Sequence, residues 1–245
     1  MLVLALDTTA KAGSMALAHG DRVLECYVGD ESQPHACRLP ADLVGLVGRH
    51  GRELSDLDLL AVAAGPGSFT GLRIGIATMQ GLAFASGRPL IGVSALEALA
   101  LTAAERLGAG AHTVAAWMDA QRNEVFSGVY LVRLEAGGEV ALTTLDEPVA
   151  APPADVARRW RIEAKWGGLV AAGSGAVRYR SLIEQHLGSL LSGMLEPPLP
   201  IAPAVARLAC RRYAEGGMFL PHAIAPIYVR RPDAELVRDR RQAGS

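Results

Sequence analysis

The run Gly65-Pro66-Gly67-Ser68-Phe69-Thr70-Gly71-Leu72-Arg73-Ile74-Gly75 constrains this chain more than any other stretch. Leu57 to Ala64 before it reads as a short, nearly all-apolar strand, and Leu72 to Ala85 after it carries a helix of about four turns. The run must therefore turn a buried strand sharply into a helix. Glycine serves such a turn where φ is positive or where another backbone comes near. A helix that starts there leaves free N–H groups at its head, which attract anions and acidic groups. The corner formed by Gly65, Gly67, Ser68, Thr70 and Gly71 is read as built for close approach. Three better-known motifs do not fit it. A phosphate-binding P-loop ends in Gly-Lys-Ser/Thr, whereas Leu72-Arg73 follow Gly71. A nucleophile elbow has glycine two places before its serine, where Ser68 has Pro66. A dinucleotide fingerprint needs an acidic residue about twenty positions on, and Gly87-Arg88-Pro89 does not supply it.

With 245 residues, half of them hydrophobic, the chain buries a sizeable core as one large domain or two small ones. A net charge of -1 gives no overall electrostatic reason to hold nucleic acid, so any work on nucleic acid is local or done through a partner. Met1 to Asp7 has no basic n-region and is too short for a signal peptide, and Arg73, Arg88 and Glu97 interrupt the longest uncharged stretches. Cys26, Cys37 and Cys210 show no Cys-x-x-Cys spacing. Together these features predict a cytoplasmic, reduced protein with no metal, no cofactor and no membrane span. None of the six histidines has an i, i+4 partner that would make a metal site; each reads as structural or solvated, with His35 given a local capping or interface role.

Val3 to Leu6 reads as a strand ending in Asp7-Thr8-Thr9, followed by a hairpin of Gly13 to Ala18 and Arg22 to Val28. The pattern recurs: Thr113 to Met118 ends in Asp119, Glu124 to Val132 returns through Gln121-Arg122-Asn123, and Gly137-Gly138 turns into Glu139 to Thr144. A helix near Pro40 to Val47 follows the first set, with Leu39, Leu43, Leu46 and Val47 on one face. Pro152 to Trp166 reads as helical, Gly168 to Ala172 as a strand, Gly173-Ser174-Gly175-Ala176 as a turn into another helix, and Pro203 to Glu215 as a last helix. In Arg158-Arg159-Trp160-Arg161 with Lys165-Trp166, basic and aromatic residues interleave, which suits direct nucleic-acid contact or an amphipathic helix with inward tryptophans. Arg238-Asp239-Arg240-Arg241 reads as a frayed end.

This doubled plan resembles the actin, sugar-kinase and heat-shock ATPase superfamily, and so implies a duplicated, ribonuclease H-like α/β fold with two mixed-sheet subdomains, residues 1–108 and 109–245. In that superfamily the acidic turns of the two halves face each other across a cleft and hold metal and phosphate. Asp7, Thr8, Thr9 and Asp119 occupy those places here, but no glycine stands beside Thr8, so the turn reads as vestigial.

The corner, the order of elements and several further segments resemble the bacterial TsaB (YeaZ) family. Those segments are Leu4 to Thr9, Gln33 to Pro40, Ile91 to Leu99, Met118 to Arg122, Ala172 to Ala176 and Pro226 to Arg230. The resemblance implies a non-catalytic subunit that binds and activates TsaD, works with the ATPase TsaE, and pairs with itself when alone. The complex forms N6-threonylcarbamoyladenosine at position 37 of tRNAs reading codons that begin with A, and tRNA is met mainly through it. The catalytic paralogue TsaD carries two metal-binding histidines after its own glycine corner; Ala95 and Leu99 stand in those places here. Leu43, Leu46, Val47, Gly71, Arg73, Gly75, Thr78 and Leu82 are the expected partner interface, an apolar stripe set beside a small-residue face. An autonomous ATP-binding phosphotransferase of the sugar-kinase class is the alternative function. A metallopeptidase lacks paired histidine ligands.

Overall fold

The computed structural model of the chain describes residues 1–163, 165–196 and 200–230. The first half runs β1 (Leu2–Asp7), β2 (Ser14–His19), β3 (Arg22–Val28), α1 (His35–Arg49), β4 (Leu59–Gly65), α2 (Phe69–Ser86), β5 (Leu90–Ser94) and α3 (Ala95–Leu107). The second runs β6 (Gly110–Asp119), β7 (Val125–Leu134), β8 (Val140–Ala151), α4 (Pro153–Glu163), β9 (Leu169–Ala172), α5 (Ser174–Arg178), α6 (Arg180–Leu187), β10 (Leu191–Leu195) and α7 (Ala202–Ala214). The two sheets have the orders β3-β2-β1-β4-β5 and β8-β7-β6-β9-β10. In each, the first three strands are antiparallel and the last two are parallel to the first. One order repeated twice is the duplicated α/β plan that the sequence implied.

Strands β1 and β4 are buried along their whole length, because helices cover both faces of the first sheet. On one face, Leu4, Leu6, Leu60 and Val62 meet Leu39, Leu43, Leu46 and Val47 of α1 and Ile76, Met79 and Ala83 of α2. On the other, Val3, Ala5 and Ala61 meet Ala204, Val205, Leu208 and Ala209 of α7 and the alanine- and leucine-rich α3. Helix α3, from the first half, in turn packs against β6 and β7, while α7, from the second, packs against β1, β2, β4 and β5. The first sheet is built from β1 to β5 and the second from β6 to β10, yet a helix from each half packs on the sheet of the other. Arg212 of α7 fastens the exchange, donating to the Gly92 carbonyl at 2.7 Å and pairing with Glu97 at 2.6 Å.

A third core lies under α4 and α6. Trp160 is fully buried, edge-on to Trp117 at 5.1 Å, and its Nε1 donates to Asp146 at 2.8 Å; Arg159 donates to the same carboxylate at 3.0 Å. Both tryptophans of the basic-aromatic segment pack toward this core, which is the amphipathic-helix reading. Helix α1 starts five residues before Pro40, whose missing N–H leaves the Ala36 carbonyl at an exposed position open to water. Strand β8 continues to Ala151, well past Thr144, and β10 was not foreseen, since Leu191 to Leu195 has no alternation to betray it. The segment Arg238 to Arg241 lies outside the described residues.

All three tryptophans belong to the second half, so their fluorescence reports that half alone. Val205→Ala, in the α7 face docked on the first sheet, is expected to cost about 2 kcal/mol and to lower the urea midpoint of the tryptophan signal and of far-UV circular dichroism equally. A tryptophan transition that stays put while the circular dichroism splits in two would mean the halves fold independently.

Candidate functional site

The turn after β1 is packed into the glycine corner. Thr8 is fully buried and its Oγ1 donates to the Gly71 carbonyl at 2.8 Å, while the Ser68 N–H donates to the Thr9 carbonyl at 2.9 Å. Ser68 caps α2 by accepting from the Gly71 N–H at 3.3 Å. A Cβ on Gly67 would sit 2.5 Å from that of Thr9, one on Gly71 would strike the Thr8 carbonyl, and one on Gly75 would strike Thr8 Oγ1. Gly75 within a helix costs on the order of 1 kcal/mol relative to Ala, and the seat it makes for Thr8 offsets this. Gly65, at φ +123°, lies against the Ile227 carbonyl, where a Cβ would come within 2.6 Å. The close approach expected of the corner is therefore made by the chain itself: the β1 turn on one side, the segment Pro221 to Arg230 on the other.

Asp7 faces inward. Its Oδ1 accepts from the Thr9 N–H at 2.8 Å and Thr9 Oγ1 at 2.6 Å, and its Oδ2 from Ser14 Oγ at 3.4 Å. Burial pushes its pKa above the ordinary aspartate value, against the lowering effect of the Thr9 and Ser14 bonds and of His35. Helix α1 clamps the rest of the loop. His35 Nε2 donates to the Ala10 carbonyl at 3.0 Å, its Nδ1 accepts from Arg38 at 3.0 Å, and Arg38 also binds the Ala12 carbonyl and Asp42. Asp119, the counterpart of Asp7, accepts from the Gln121 N–H at 3.1 Å and pairs with Arg178 at 2.8 Å. Gln121, Arg122 and Asn123 form a left-handed turn at φ 60°, 55° and 59°, and Arg230 ties the turn to the C-terminal segment through the Ala120 carbonyl at 3.1 Å and through Glu124. The residues read as a vestigial phosphate turn are thus each engaged within their own half. Among the described residues, no group of three or more His, Cys, Asp or Glu side chains is placed to hold a metal ion. Ala95 and Leu99 are buried in α3.

The expected interface needs correcting. Leu43, Leu46 and Val47 belong to the chain's own core, and Gly71 and Gly75 face Thr8, so none of these five meets solvent. Helical periodicity identifies which face is apolar, not whose core it joins. Thr78 and Leu82 are half-buried, and Arg73 is exposed. The outer face, of which the expected interface held only Arg73, carries Pro40, Ala41, Val44 and Gly48 of α1 with Phe69, Arg73, Ala77, Gly81 and Phe84 of α2. Phe84 is 90% exposed and Val44 54%. The available signal was the Arg73, Ala77, Gly81 row with Phe84 at its end, at spacings of three and four, on the back of the stripe that was read as apolar.

Two outcomes are expected from this geometry. Because the folded chain holds the Asp7 proton more tightly than the unfolded one, stability falls as pH rises out of the ordinary carboxylate range. Asp7→Asn, which keeps the acceptor for Thr9, should gain stability relative to the parent as pH rises above the ordinary aspartate range; parallel melting curves against pH would refute this. Gly67→Val should lose roughly 2–4 kcal/mol in chemical denaturation, and a variant as stable as the parent would mean that Thr9 yields freely.

Comparison with known proteins places this arrangement. The family model for TsaD, tRNA N6-adenosine threonylcarbamoyltransferase, matches residues 31–157. The tRNA threonylcarbamoyladenosine biosynthesis protein TsaB of Escherichia coli is 33% identical over 233 residues, covering 94% of this chain and 95% of that protein. TsaB of Haemophilus influenzae is 32% identical, covering 94% of each. The solved structure of YeaZ from Pseudomonas aeruginosa, 34% identical, superposes with a TM-score of 0.75 over 93% of this chain and 99% of its own. With a third of its residues identical along almost its entire length and the same two-sheet fold, the chain belongs to the TsaB (YeaZ) family.

Proposed function

We propose that the chain is a non-catalytic subunit of the complex that forms N6-threonylcarbamoyladenosine in tRNA, acting in the cytoplasm by binding and activating TsaD. TsaE joins the larger complex, tRNA is engaged mainly through it, and the free chain pairs with itself. One observation carries this reading beyond the family name. The Asp7-Thr8-Thr9 turn, which a phosphotransferase of this fold uses for phosphate, is bonded into the chain's own corner through Gly71 and Ser68. A phosphate there would have to displace Thr8, a fully buried side chain. The autonomous kinase reading is not favoured, and the family relationship supports a biosynthetic subunit in its place.

The outer face of α1 and α2 is the proposed docking surface. Small residues at Ala41, Gly48, Ala77 and Gly81 let a partner helix approach closely, and Val44 and Phe84 offer apolar area at an exposed surface. The chain incubated with tRNA and threonylcarbamoyl-adenylate is expected to give no product alone, and product once TsaD of the same organism, TsaE and ATP are added. Turnover without TsaD would overturn the scaffold role. Ala77→Glu or Val44→Glu should fold, by circular dichroism, and lose TsaD in pull-down. Leu46→Glu, by contrast, puts a charge into the chain's own core and is expected to unfold it. Unchanged TsaD binding by both surface variants would move the interface elsewhere.

A further inference from the structure

Helix α2 carries a single formal charge. Over Phe69 to Ser86 there is no Asp, Glu or Lys, and the one cation is Arg73, flanked on the outer face by Phe69, Ala77 and Gly81. Its guanidinium carbon lies 3.9 Å from the Phe69 ring centroid, and its Nε donates to Tyr228 Oη at 3.1 Å. The Tyr228 ring stacks on Phe69 at 5.4 Å, so the two aromatic rings and the guanidinium make one cluster. Among the described residues, no carboxylate pairs with Arg73, whereas Arg49, Arg159, Arg178, Arg180, Arg207 and Arg212 each hold one. Its two terminal nitrogens have no hydrogen-bond partner among those residues, so four of its N–H donors remain for an incoming group.

Tyr228 is itself fixed. The Ile227 N–H donates to the Ala64 carbonyl at 2.7 Å, Gln80 Nε2 donates to the Pro221 and Ile224 carbonyls at 2.9 and 3.0 Å, and Arg230 reaches the Ala120 carbonyl. The strap from Pro221 to Arg230 therefore delivers a tyrosine to a residue 155 positions earlier in the sequence. An arginine held this way has already lost much of the rotamer freedom that binding would otherwise remove.

Resting on the docking face read above, we propose that Arg73 receives a carboxylate of the partner protein and that Tyr228 is its positioning residue. A lone cation covered by an apolar interface must meet an anion, or its desolvation opposes association. A second copy of the chain supplies none from these helices. On α1 the one carboxylate, Asp42, is held by Arg38 at 2.9 Å, and in the approach to α1 Asp30 is engaged with the Ser32 N–H at 2.8 Å. A two-fold pairing sets the same patch against itself, so it brings two arginines to the seam and, among the described residues of these helices and their approach, leaves only Glu31 to answer them. The small-residue face selects a helical protein surface, and the unpaired fork selects an acidic residue on it. The partner is therefore a different chain with a carboxylate on its docking helix, and self-association is the weaker use of the same face.

Titration calorimetry of the full chain with TsaD and sedimentation of the chain alone test this. Arg73→Ala is expected to weaken TsaD binding about 30-fold or more while self-association stays the same or tightens. Arg73→Lys should recover only part of the loss, because an ammonium cannot fork onto a carboxylate. Tyr228→Phe should weaken TsaD binding roughly 3- to 10-fold in the parent and have no further effect in the Arg73→Ala background. TsaD affinity of Arg73→Ala within about twofold of the parent would overturn the proposal, as would an equal loss of self-association, which would put the anion on a second copy. An additive effect of Tyr228→Phe would refute the positioning role. If the unaltered chain fails to bind TsaD, the scaffold reading itself falls, an outcome visible before any variant is made.

Discussion

The fit of the β1 turn into the glycine corner is the interaction on which the rest of the molecule depends. Thr8 reaches from one strand end to the first turn of α2, where Gly71 and Gly75 lack the Cβ atoms that would block it, and Gly67 leaves the same room for Thr9. Parallel pairing of β1 with β4 brings the two strand ends together, and the hydrogen bond between Ser68 and Thr9 continues that neighbourhood past the sheet. The head of α2 is thereby set against the sheet with little freedom to shift. Its inward residues, Ile76, Met79 and Ala83, then complete a core with α1, and its outward row is fixed in the same act. A helix seated by backbone contact rather than by long side chains holds its outer face to a single orientation, as close packing requires.

The same turn is linked to the exchange of helices between the halves. Asp7 accepts from Ser14, and Ser14 Oγ accepts from the Ala202 N–H at 3.2 Å, supplying the cap that Ile201 cannot give to α7. The Asp7 carboxylate orients a hydroxyl that starts the returning helix. Helix α7 then covers the open face of the first sheet while α3 covers part of the second. Neither half has a complete core without a helix of the other.

Much of this was legible in the sequence. The paired β-β-β patterns, the glycine corner and its following helix are local signals, carried by alternation and by Gly and Pro, and they appear where the pattern puts them. The contents of the site were harder to read. Gly75 was read as part of a partner interface, and its reason, Thr8, lies 67 positions earlier. Leu43 and Leu46 were read as an interface because an apolar stripe carries no mark of its partner, and only the fold reveals that β1 and β4 already occupy it. Asp119 pairs with Arg178, 59 residues on, and the strap from Pro221 to Arg230 has no periodicity at all. Such contacts are long-range and made by single residues, so no window along the chain contains both partners.

A scaffold protein gains from the features that would make a poor kinase. A turn that binds phosphate needs backbone N–H groups free to close on the anion. Here the turn is filled by Thr8, its loop is clamped by His35 and Arg38, and the strap joins the corner to the β6–β7 turn through Ile227 and Arg230. Every one of these contacts removes freedom before a partner arrives. Association costs ordering entropy, so a face that is already ordered binds more tightly for the same area. In the proposed role, the filled turn and the seating of α2 are one arrangement seen from two sides. The glycines that admit Thr8 into the corner are also what hold Arg73, Ala77 and Gly81 outward at a fixed pitch.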